Sequence, residues 1–106
     1  MEPESSIALR TQYLQRLLDT VIPEQTLSND VLERLHDYFK EIINFEAKSS
    51  DLSLILKILW KTVLNVEQLK EIKIGKLVNL VKGEERFEKE IRRLAFALVN
   101  RWKEMV

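Results

Sequence analysis

Residues 87–106 read FEKEIRRLAFALVNRWKEMV, and the spacing of their apolar side chains decides the fold class. Phe87, Ile91, Leu94, Leu98, Trp102 and Met105 follow steps of four, three, four, four and three. That is one helical stripe about five turns long. Ala95 lies inside the stripe and permits a close helix contact, whereas Phe96 and Val99 lie off it, Phe96 pointing roughly opposite.

Upstream, residues 47–64 read AKSSDLSLILKILWKTVL. Serines and an aspartate open a helix, which then becomes apolar on three sides through Leu52, Leu54, Ile55, Leu56, Ile58, Leu59, Trp60 and Val63. A helix apolar around most of its circumference is surrounded by others. Residues 50–63 are therefore expected to be the central and most buried element, with Leu56, Leu59, Leu94, Leu98 and Trp102 in one cluster.

Between these two segments, residues 66–83 hold both glycines of the chain and four lysines. Asn65 with Gln68 has capping-box spacing, and Leu64 with Leu69 that of a hydrophobic staple, so a short helix starts after a turn at residues 62–65. Gly75 is expected to end it in a left-handed conformation or to admit a close backbone, and Gly83 to end a second short helix in the same way. Glu84 and Glu85 would then face the positive end of the last helix.

The N-terminal part is also helical in pattern. Ser6 can cap a first helix carrying Ile7, Leu14, Leu17, Leu18 and Val21 and stopped by Pro23. Ser28 can cap a second, with Asp30 at its positive end and Val31, Leu35, Tyr38, Phe39 and Ile42 on one face. The expected product is an all-α bundle of about five to six helices: a disordered N-terminus at residues 1–5 and a single domain over residues 6–106. Phe96 is expected to meet the first helix, whose leucines need a partner, with a subunit interface as the alternative.

Composition narrows function. The 106 residues have no cysteine and one histidine, His36, which excludes thiolate zinc sites and cysteine nucleophiles. A lone His36 beside Leu32 and Phe39 is read as a boundary side chain, and KIGKL carries one glycine and lacks the strand that phosphate loops follow. No enzyme activity, cofactor or metal is expected. No apolar run approaches a membrane span, and the N-terminus lacks the basic start of a signal peptide. Seventeen bases balance seventeen acids, but residues 57–82 hold six bases and two acids. So small a patch, without arginine, is a weak signal for nucleic acid, though it can attract an acidic partner.

LKEIKIGKLVNLVKG followed by IRRLAFALVNRWKEMV resembles the N-terminal domain of transcription elongation factor S-II, the LW domain, named for the leucine and tryptophan that stand here as Leu98 and Trp102. It is similar to the corresponding domains of Elongin A and a Mediator subunit, and more distantly to the integrase-binding domain of chromatin-bound PWWP proteins. The likeness covers about residues 47–106, with residues 1–46 as additional material. It implies a compact right-handed bundle without catalytic activity: a nuclear, monomeric docking module for short motifs from disordered transcription or chromatin proteins. A structural assembly domain holding a fixed subunit through its N-terminal helices is the alternative.

The resemblance also implies a place for the motif pocket, where the turn entering the central helix meets the turn before the last one. Here these turns bring Phe45 and Lys48 on one side and Lys82, Arg86 and Phe87 on the other. An apolar floor with a basic rim suits an acidic peptide with one aromatic anchor. Phe87 has an equally good reading as the first residue of the core stripe.

Overall fold

In the computed structural model, residues 3–45 and 50–105 are described, with side chains from residue 8 onward. Six helices follow one another: α1 Pro3–Thr20, α2 Asn29–Phe45, α3 Ser50–Lys61, α4 Val66–Ile72, α5 Ile74–Gly83 and α6 Lys89–Lys103. The described residues form no strand, only an isolated parallel bridge between Thr26 and Val63. The architecture is the all-α bundle expected.

One core runs through all of it. Leu14 of α1, Leu35 and Phe39 of α2, Ile55 and Leu59 of α3, Val78 of α5 and Leu98 of α6 belong to a single buried cluster. α3 is the hub, packed against α1, α2 and α6, while α5 and α6 form the most extensive helix pair. Leu56, Leu59, Leu98 and Trp102 share that cluster and Leu94 packs on its edge, as the two apolar stripes require. Val99, off the stripe in sequence, is buried as well, because α5 covers that flank of α6.

Several local expectations need correction. α1 begins at Pro3, so Ser6 lies inside its first turn and residues 3–5 are helical; proline suits the first helical position because its missing amide would have no intrahelical partner. Met1, Glu2, Val106 and the side chain of Ile7 lie outside the described residues. Ser28 does cap α2, its Oγ accepting from the Val31 amide at 3.3 Å. α3 stops at Lys61, before Val63, and Trp60 is 45% exposed with the Arg101 guanidinium 4.7 Å from its ring centroid.

The capping box is present: the Gln68 amide donates to Asn65 Oδ1 at 2.7 Å and the Asn65 amide to Gln68 Oε1 at 3.1 Å. Gln68 is buried, and its Nε2 also donates to the Leu27 carbonyl at 2.8 Å and to Asn29 Oδ1 at 3.0 Å. One side chain thus starts α4 and ties it to the entry of α2. The left-handed residue between α4 and α5 is Lys73, with φ 61°, and neither glycine has positive φ. Gly75 sits inside the first turn of α5 and Gly83 is its last residue. Glu84 and Glu85 fall in the connecting turn; Glu88 is the N-cap of α6 and Glu90 lies in its first turn.

Among the described residues α1 makes no extensive contact with α6, the helix that carries Phe96. α1 lies on α3, held by a buried network: Arg10 Nε donates to Asp51 Oδ2 at 2.7 Å, Arg10 Nη1 to Glu41 at 3.2 Å, and the Thr11 hydroxyl to Asp51 at 2.8 Å. Arg10 and Asp51 are 2% and 1% exposed. The Tyr13 and Tyr38 rings meet edge-on at 6.0 Å between α1 and α2. Burial raises the Tyr13 phenol above its ordinary value, and Arg34 beside the ring pulls it back. Leu14 is fully buried, so the apolar face of α1 is satisfied without Phe96.

Candidate functional site

Of the five residues expected at the two turns, four are described. Phe45 ends α2 and is 81% exposed. Lys48 lies outside the described residues. Phe87 is 2% exposed, a core side chain with the Arg86 guanidinium 4.7 Å from its ring centroid, in keeping with its reading as the first residue of the core stripe. Arg86 is also ion-paired with Glu84, two residues before it. The nearby Arg92 Nε donates to the Phe87 carbonyl at 3.1 Å and fixes the entry of α6.

Lys82 belongs to a different and better-formed group. On α6 the inward face is taken by Ile91, Ala95, Leu98 and Trp102, which leaves Lys89, Arg92, Arg93 and Phe96 outward within two turns. Phe96 is 54% exposed. Lys82, from the last turn of α5, places its ammonium 6.0 Å from the Phe96 ring centroid. Together these five residues line a hollow of about 470 Å³ in the surface. Among the described residues no carboxylate lines it, and none of its four cations is in an ion pair.

The arrangement is an apolar ring set among like charges. Such a surface repels itself slightly and gains when an anion arrives, while the ring gains when water leaves it. An aromatic thus lies among basic residues of its own helix, with Lys82 added from the neighbouring α5, although the whole chain remains balanced in charge. The signal was present in the order Lys89, Arg92, Arg93, Phe96, whose spacing puts all four near one helix face.

For other chemistry the described residues converge on little. His36 is half-buried, its Nδ1 3.7 Å from Asp37. No group of three or more His, Asp or Glu among the described residues could hold a metal ion, and no described helix is long and apolar enough to cross a membrane.

A six-helix bundle that presents an exposed ring among unpaired cations has the makings of a protein-interaction domain. The family comparison agrees: the model described as the Med26, TFIIS helical bundle-like domain matches residues 54–106, and the chain belongs to that family. It is a transcription-related interaction domain whose matched part runs from within α3 to the end of the chain, with α1 and α2 outside it. No curated protein and no solved structure matches the chain.

Proposed function

We propose that the chain is a nuclear, non-catalytic docking module that binds short acidic motifs with an apolar anchor, carried on disordered proteins of transcription or chromatin. The observation that carries this reading is the half-exposed Phe96 ring inside a carboxylate-free set of four cations. The ring takes the anchor and supplies most of the affinity; the cations set encounter rate and selectivity. Of the residues expected from the family pocket, Lys82 belongs to this face, Arg86 is half-occupied by Glu84, and Phe45 remains an exposed ring available to a longer motif. A fixed structural contact through the N-terminal helices is less well supported, since the apolar face of α1 is already used on α3.

Reversing Lys82→Glu and Arg93→Glu together brings the formal charge of the hollow to zero. Binding of an acidic peptide containing phenylalanine should fall at least about tenfold, mainly through a slower on-rate. The melting temperature should barely move, because exposed charges contribute little to stability. Arg86→Glu should weaken binding far less. Fluorescence anisotropy at two salt concentrations checks this, and unchanged affinity in the double variant would refute the reading.

A further inference from the structure

The helix pair that carries the hollow around Phe96 carries another. Near the start of α5, Gly75 stands over Trp102 near the end of α6, while Lys82 in the last turn of α5 stands beside Phe96. The two helices therefore run in opposite directions and share a seam. Along it lies a second hollow of about 640 Å³, floored by Leu69, Val99 and Trp102 and flanked by Lys76, Asn79 and Lys103. Among the described residues no carboxylate lines this one either, and neither lysine is ion-paired.

Each hollow is open for a physical reason. Phe96 cannot turn inward because Ala95 and Leu98 fill that face of α6. Gly75 has no side chain to lay over the indole; a Cβ built there would stand 3.9 Å from Trp102 Cε3, an ordinary contact. Glycine inside a helix weakens it by roughly 0.5–1 kcal/mol relative to alanine, and here neither backbone conformation nor crowding demands it. What glycine does provide is access to the edge of Trp102.

We infer that the two hollows are one docking track whose occupant is an acidic segment of a disordered partner protein with two apolar side chains, one against Phe96 and one against Trp102. This rests on the docking reading above. Phe96 and Trp102 are six residues apart on α6, so the two anchors are about 9 Å apart along the helix. An extended segment covers that distance in about three residues, and a helical one in about six. Six cations along the two sides, with no acid among the lining residues, select carboxylates between and beside the anchors. A nucleobase fits less well, because its polar edge would face the hydrocarbon of Leu69 and Val99 without partners.

The test uses the whole chain and three labelled probes: an acidic peptide with one phenylalanine, the same peptide with a leucine added three residues away, and an oligothymidine strand. The two-anchor peptide should bind at least about tenfold tighter than the one-anchor peptide, the gain expected from burying one more side chain. Gly75→Leu, which fills the second hollow, should remove that gain, so that the variant binds the two peptides equally. Gly75→Ala should melt no lower than the parent chain and lose part of the gain. If the one-anchor peptide binds but the leucine adds nothing, or if the gain survives Gly75→Leu, the track is wrong while the docking reading stands. If neither peptide binds, both fail. Oligothymidine binding tighter than both peptides would overturn the assigned occupant.

Discussion

Arg10→Met is expected to lower the unfolding free energy by about 3–5 kcal/mol, the cost of breaking a buried ion pair from one side. The substitution keeps most of the stem's volume but removes the guanidinium that sits 2.7 Å from the Asp51 carboxylate. Domains of this size are stable by about 5–15 kcal/mol, so the variant should be marginal at body temperature and melt tens of degrees lower. Pairing Arg10→Met with Asp51→Leu should restore much of the loss, since two well-packed apolar side chains can replace a buried pair at little cost. Thermal melts of the parent, the single and the double variant decide it. A loss below about 1 kcal/mol in the single variant would mean that the network does not hold α1 in place.

Trp102→Ala should be comparably severe, at about 3–5 kcal/mol, because the indole is 6% exposed and borders both the core cluster and Gly75. Phe96→Ala, six residues earlier on the same helix, should change stability by no more than about 0.5 kcal/mol while weakening peptide binding. The contrast matters more than either value. Denaturant melts and peptide titrations on both variants would separate the aromatic whose loss costs the fold from the one whose loss costs binding alone. A large stability loss on truncating Phe96 would place that ring in the core and remove the basis of the docking face.

The helices themselves were legible because each depends on one stripe or one cap. Residues 87–106 disclose their inward face by spacing alone, and Asn65 with Gln68 discloses a cap that the hydrogen bonds realise. What stayed hidden came from elements distant in sequence. Asp51 reads as a helix-start acid, which it is, but nothing near it announces Arg10 at a separation of 41 residues. Lys73 in a left-handed conformation was equally hidden, with a glycine two residues away as the more obvious candidate. Phe96 was visible as an odd residue; its setting was not, because Lys82 comes from another helix.

The attachment of α1 also bears on the order in which the chain acquires its structure. α5 and α6 are joined by one short turn and form the most extensive helix pair, so their association closes little chain and can come early. α1 must wait for α3, because Asp51 lies 41 residues further along than Arg10. On the ribosome α1 therefore emerges before the helix that locks it in place. Pulse-labelled amide exchange during refolding should show α5 and α6 protected before α1. Until that lock closes, Leu14 has no permanent cover, and a nascent chain would expose one apolar face for as long as synthesis takes to reach α3.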